Sequence, residues 1–252
     1  MAYRLLCVTA HPDDESGGFA GALLTAHARG AETTVLCLTE GQAATNRGET
    51  RSGAELAAVR RAEFEAACKV LKVTHSEVLH FPDGELWREN FYDLTGLLVR
   101  RIRADRPQVV MTFGGEGSVN LHRDHTMVSV MTTAAFHWAG RSFAYEEQFA
   151  EGLKPYGPQK LYYSCAPFLM NRNADDVARA RRIPYSLELK LGPLKETKFQ
   201  AFSQHTSQLE VMQRARDIFE HLLEVELYQL AASRIEQPAA ADKDLFDGVV
   251  ED

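Results

Sequence analysis

The sequence predicts an α/β protein: a mostly parallel sheet with helices on both faces, followed by a smaller C-terminal α+β portion. Three observations point there. Short runs rich in β-formers (Leu5–Thr9, Thr33–Thr39 and Gln108–Phe113) alternate with longer stretches whose apolar residues recur at helical spacing. These runs are apolar throughout rather than alternating, as strands covered on both faces must be. Two of them lead directly into clusters of charge, at the strand ends where open α/β sheets collect their ligands.

Leu5–Thr9 runs into Ala10, His11, Pro12, Asp13, Asp14 and Glu15 and then two glycines, so a first strand gives way through a sharp turn to a helix ending near Arg29 and Gly30. Thr33–Thr39 is the second strand. Glu40–Gly53, polar and carrying three glycines, is longer than most connections and reads as a lid or binding loop. Ala54–Leu71 is an amphipathic helix with Leu56, Val59, Ala62, Ala66 and Val70 on its apolar face. Glu77–Phe81 is a third strand, ended by the turn residues Pro82, Asp83 and Gly84. Phe91–Ile102 repeats the helical period and Gln108–Phe113 is the fourth strand. After it comes the second loaded stretch, Gly114 to His125, with a helix expected from Met127 to Trp138. Farther on, Lys160–Ser164 and Tyr185–Leu191 read as strands, and Leu194–His205 and Ser207–Ala232 as helices.

A chain of 252 residues, 45% hydrophobic and 25% charged, can bury a sizeable core, so residues 1–235 are expected to form one domain. Residues 236–252, rich in alanine and acid, are expected to be a loosely packed tail. No apolar stretch approaches the roughly 20 residues that span a bilayer, and no leader pattern opens the chain, so a cytoplasmic protein without membrane insertion is expected. The net charge of -7 argues against nucleic acid as a partner. Cys7, Cys37, Cys68 and Cys165 form no CxxC pair and read as buried reduced thiols. The C-terminal helices offer either an interface for a second copy or a face that packs on the sheet, which leaves a homo-oligomer open.

Imidazole and carboxylate are what a zinc-like ion accepts from a chain that offers no thiolate cluster. His11 and Asp14 stand three apart across a turn, and His122 and His125 three apart at a helix entrance. Taken singly, the first pair reads equally as a helix N-cap and the second as histidines at a core edge. Together, at the carboxyl ends of two parallel strands, they can converge. Three protein ligands with an open fourth position make a catalytic arrangement, and two imidazoles with a carboxylate suit Zn2+, and also Fe2+ or Co2+.

AHPDDE after the first strand, LTEG after the second, the RxxE spacing of Arg60 and Glu63, PDG at Pro82 to Gly84, RPQVV leading to HRDH, and KxxAxxxHxSQ from Lys198 to Gln208 together resemble the LmbE-like, or PIG-L, family of zinc-dependent deacetylases. The resemblance implies a Rossmann-like three-layer α/β/α fold, one Zn2+ per chain, and hydrolysis of an N-acetyl group from an N-acetylglucosamine unit on a small carrier. Residue by residue it implies that His11, Asp14 and His125 bind the metal, that Asp13 is the general base, that His122 is the acid or oxyanion stabiliser, and that Asp124 orients it. Arg60 resembles the family arginine that reaches a substrate hydroxyl or acid group, and Asp83 is placed to accept sugar hydroxyls. Glu15 reads as a first-turn acid or a partner to His11, and His205 and Gln208 as parts of the late motif or of a helix end.

The chain departs from the family pattern twice. Arg123 stands where proline usually separates the histidine and aspartate of the second motif, adding a cation that would favour an anionic carrier if it faced the site. No tyrosine occurs from Pro107 to His125, where some members carry one to polarise the carbonyl. The expected activity is thus N-deacetylation of an amino-sugar conjugate. The competing readings are an amidase that cleaves a larger acyl group from a glucosamine thiol conjugate, and a non-catalytic sugar or nucleotide-binding module on the same scaffold.

Overall fold

Strand β1 (Arg4–Thr9) is buried at five of its six positions and lies inside a seven-stranded sheet, between β2 (Glu32–Thr39) and β4 (Val109–Phe113). The computed structural model describes residues 2–118, 121–165, 184–214, 220, 222–236 and 242–251. With β3 (His75–Phe81), β5 (Lys160–Cys165), β6 (Leu187–Lys190) and β7 (Val225–Ser233), the spatial order is β3-β2-β1-β4-β5-β7-β6. The first five strands are parallel, and β7 runs antiparallel to both of its neighbours. Register pairs Cys7 with Val35 on one side and with Met111 on the other. The chain winds outward from β1 to β3 and then returns to the opposite side of β1 as β4. That reversal leaves a crevice outside the carboxyl ends of β1 and β4.

Helices cover both faces. α4 (Phe91–Asp105) packs on α5 (Arg123–Trp138), and α1 (Asp14–Gly18), α2 (Ala20–Ala28) and α3 (Gly53–Val70) pack with α7 (Leu194–Phe202); a short α6 (Glu147–Ala150) precedes β5. The four cysteines are buried and free, as expected. No helix among the described residues is long and apolar enough to cross a membrane.

Four expectations need correction. The first helix is broken in two at Phe19, whose buried side chain packs edge-on against Phe113 with ring centroids 5.4 Å apart. α5 starts at Arg123 rather than Met127, with His122 as its N-cap, which places His125 on the first helical turn. The helix expected over Ser207–Ala232 is met by α8 (Leu209–Arg214) and by residues 220 and 222–224, with 215–219 and 221 outside the described residues, but its last part is the strand β7. Strand pairing there wins because Glu226 and Tyr228 alternate into the core: Glu226 accepts the Gly21 and Ala22 amides at the start of α2, the Lys198 ammonium at 2.7 Å and the Tyr228 hydroxyl at 2.6 Å. Finally, within the tail expected to be loose, Leu245, Phe246 and Val249 are buried, and Asp242 pairs with the fully buried Lys160 at 2.9 Å.

Candidate active site

The turn after β1 is closed by its own side chain. Asp14 Oδ2 accepts the amides of Ala10 at 3.1 Å and His11 at 2.7 Å, which leaves Oδ1 turned toward His125 Nε2 at 3.2 Å. Between them Asp13 has a φ of 124°, a conformation that costs a non-glycine residue about 1–3 kcal/mol and persists only where surrounding contacts impose it.

Two imidazoles are fixed by what their outer nitrogens do. His125 Nδ1 donates to the Gly117 carbonyl at 3.1 Å, so the lone pair of Nε2 faces inward. His11 Nε2 lies 3.1 Å from Asp83 Oδ1 and 3.4 Å from Asp124 Oδ2, so its Nδ1 faces inward too. The inward atoms, His11 Nδ1 and His125 Nε2, are 3.3 Å apart, and Asp14 offers Oδ2 at 3.6 Å from the former. Ligand atoms set about 2.0–2.2 Å from a tetrahedral ion stand about 3.3–3.6 Å from one another; the two imidazole nitrogens have that spacing, and the Asp14 carboxylate flanks them with Oδ1 toward His125 and Oδ2 toward His11. Two facing lone pairs also need a proton or a cation between them. His122 joins the group, offering a ring nitrogen within 4.8 Å of those of His11 and His125.

The charges agree with the geometry. Although burial works against it, hydrogen bonds to the Asp124, Asp14 and Asp83 carboxylates hold the His11 imidazole well above 6.5. Asp14 is held well below the usual carboxylate range by His125 and His11, in spite of burial. Without metal the centre therefore retains a proton on His11, and a divalent cation meets the same electrostatic demand.

Burial pushes the Asp13 carboxyl up to about 6 against the pull of the Arg60 guanidinium, and Asp14 adds to the rise. Arg60 is itself buried: its Nη2 donates to Asp13 Oδ2 at 3.0 Å and to the Pro12 carbonyl, and its Nη1 to the Gly41 carbonyl at 3.1 Å. Gly41 has a φ of 66°, and a Cβ there would stand 2.3 Å from Arg60 Nη1. Arg60 is thus engaged by the base and its turn rather than open to a substrate hydroxyl. Asp83 is likewise committed, with Oδ2 accepting the Ala43 amide at 2.9 Å and Oδ1 on His11. The PDG turn indicated Asp83 and the RxxE spacing Arg60, but their partners belong to other loops.

The link from Asp124 to His122 is not the one expected. The Asp124 carboxylate accepts the amides of Gly84 at 2.6 Å and Leu86 at 3.3 Å and faces His11, while its own amide donates to His122 Nδ1 at 3.2 Å. Its carboxylate therefore orients His11, and the helix cap holds His122. Burial, with His11 and His125 nearby, lowers the His122 pKa, so the ring is neutral at pH 7 with its proton on Nε2. Arg123 is exposed, its guanidinium 5.4 Å over the Trp87 ring. Glu15 turns away from His11 toward His205, with Oε1 2.7 Å from His205 Nε2. Sequence reasoning singled out Glu15, Glu63 and His205 in their motifs but neither this pairing nor that of Glu63, which accepts from Thr206 and Ser207.

A family model described as PIG-L, GlcNAc-PI de-N-acetylase, matches residues 6–136. The mycothiol S-conjugate amidase of Streptomyces coelicolor is 32% identical over 180 residues, covering 64% of this chain and 60% of the amidase, so the chain spans about three fifths of that relative's length. The 1D-myo-inositol 2-acetamido-2-deoxy-alpha-D-glucopyranoside deacetylase of Rhodococcus jostii is 27% identical over 292 aligned positions, covering 98% of each chain. The structure of N,N'-diacetylchitobiose deacetylase from Pyrococcus horikoshii superposes with a TM-score of 0.75 at 21% identity, over 91% of this chain and 84% of that one, a likeness of fold.

Proposed function

The chain belongs to the PIG-L, or LmbE-like, family, and on that premise we propose that it is a Zn2+-dependent hydrolase that removes an N-acetyl group from an N-acetylglucosamine-type conjugate. The observation that carries this reading is the convergence of His11 Nδ1, His125 Nε2 and Asp14 on one point, with Asp13 beside it. His11, Asp14 and His125 would hold the ion, which when bound supplies a Lewis acid that lowers the pKa of water and polarises an amide carbonyl.

The chain's own residues do the rest. Asp13, poised by burial at about 6, takes a proton from the attacking water at neutral pH. His122, neutral with its proton on Nε2, donates a hydrogen bond to the carbonyl oxygen as that oxygen gains charge. The amine is a poor leaving group until it is protonated, and Asp13 returns to the nitrogen the proton it took. The C–N bond breaks, the free amine and acetic acid leave, the acid giving its proton to solvent as acetate, and Asp13 is a carboxylate again. Arg60 keeps the base aimed throughout.

The test is metal content together with amine release from a panel: free N-acetylglucosamine, its malate and inositol conjugates, diacetylchitobiose, and a bulky acyl-glucosamine thiol conjugate. Acetate release that tracks bound Zn2+ is expected. The amidase relative favours a second reading, cleavage of a larger acyl group; release from the thiol conjugate alone would establish it in place of the first. A purified chain that holds no metal and takes none up would overturn both.

A further inference from the structure

Resting on the reading of Asp13 as base, we propose that His205 and Glu15 form a positioning couple that fixes the backbone of Asp13, so that the segment after α7 aims the base. Glu15 is fully buried, and each of its oxygens is engaged. Oε2 accepts the Asp13 amide at 3.0 Å, and Oε1 receives the Ser16 hydroxyl at 2.6 Å and His205 Nε2 at 2.7 Å. A carboxylate held by three donors in a dry site has little freedom left, and the amide it grips belongs to the residue with a φ of 124°. Arg60 grips the same turn from the other side, through the Pro12 carbonyl and the Asp13 carboxylate. The strained turn is therefore clamped between two buried side chains, Arg60 from α3 and the neighbouring Glu15, which His205 holds from a distant segment.

His205 is suited to this task. It is fully buried, and its Nδ1 finds no hydrogen-bond partner among the described residues, while Nε2 meets Glu15 and, at 3.5 Å, Ser16 Oγ. The ring is carried to Glu15 by neighbours that dock elsewhere: Thr206 and Ser207 on Glu63, and Gln208 on the Asn46 carbonyl. His205 makes its hydrogen bonds to Glu15 and Ser16 rather than to the candidate ligands, so its positioning effect passes through Glu15 and the Asp13 backbone, beside a direct electrostatic pull on the Asp13 carboxyl.

Three variants separate positioning from mere packing: His205→Gln keeps an N–H donor, His205→Leu fills space without one, and His205→Ala does neither. The first readout needs no substrate. Hydrogen exchange at the Asp13 amide is slow in wild type and His205→Gln and at least about tenfold faster in His205→Leu and His205→Ala. In the two latter variants kcat falls about 10–100-fold with KM within about twofold, Zn2+ content stays at one per chain, and His205→Gln restores most of kcat. If His205→Ala does not fold, His205→Leu carries the same comparison. The couple is overturned if the Asp13 amide stays protected in the donor-less variants, if His205→Gln loses as much kcat as they do, or if the loss comes with loss of metal. A wild-type chain that protects this amide but releases no amine from any substrate would refute the deacetylase reading and leave the exchange comparison to decide the couple.

Discussion

His11 Nε2 lies 3.1 Å from Asp83 Oδ1, and the other oxygen of the same carboxylate accepts the Ala43 amide at 2.9 Å. One side chain thus orients a candidate metal ligand and anchors the long loop after β2. Asp83→Ala is expected to weaken Zn2+ binding by about 10–100-fold, read by competition with a calibrated chelator. Unchanged affinity would show that Asp124 alone orients His11.

Ligands and base separate cleanly in their expected behaviour. His11→Ala and His125→Ala lose the metal. Asp13→Asn retains one Zn2+ per chain while kcat falls by about 10²–10⁴. Elemental analysis and single-turnover kinetics check the pair of statements, and near-normal turnover in Asp13→Asn would assign the base elsewhere.

Arg60 serves three acceptors with one rigid fork, which lysine cannot copy. Arg60→Ala and Arg60→Lys are both expected to lower kcat, and Arg60→Ala to cost about 1–3 kcal/mol for each buried acceptor left unsatisfied. Urea denaturation measures the second effect. Full activity in Arg60→Lys would mean that charge alone holds Asp13.

His205 has its pKa raised above 6.5, because the Glu15 carboxylate outweighs the opposing effect of burial. The folded chain therefore binds this proton more tightly than the unfolded chain does. The stabilisation is full below 6.5 and is lost as pH rises through the raised value. The difference in unfolding free energy between wild type and His205→Gln should shrink with rising pH in that window. A difference that grows would reverse the assignment.

Lys160 and Asp242 are a buried pair at 2.9 Å, with the Tyr162 hydroxyl donating to the same carboxylate at 2.6 Å. Asp242→Ala strands a buried ammonium and is expected to cost about 3–5 kcal/mol, while the double change Lys160→Met with Asp242→Leu recovers most of it. Thermal melts of the three chains decide this.

The parallel half of the sheet was legible because strands buried on both faces need uninterrupted apolar sequence, and Leu5–Thr9 and Thr33–Thr39 supply it. β7 was not. Its residues, from Val225 through Leu227 and Leu230, suit a helix by composition, and its inward positions are Glu226 and Tyr228, polar types that mark a surface unless their partners are known. The pairs His11 with Asp14 and His122 with His125 could be read from spacing at two strand ends, and the family resemblance chose His11, Asp14 and His125 among them as candidate ligands. The tasks of Arg60, Asp83 and Asp124 could not, since residue type says what a side chain can bond but not which loop the fold brings to it. Glu15 and His205 lie 190 positions apart, beyond the reach of any local pattern.

That separation also orders events in time. Closing so long a loop is entropically costly, and contacts of this range form late in folding. A nascent chain that has completed β1 through α5 already carries His11, Asp14 and His125, with Arg60 and Glu15 on the Asp13 turn, yet Glu15 lacks its His205 partner until residues 194–208 have been made and have docked. On the proposed reading the ligand set is therefore complete before the last clamp on the base, and synthesis of the last third finishes the aim of Asp13 without adding a ligand.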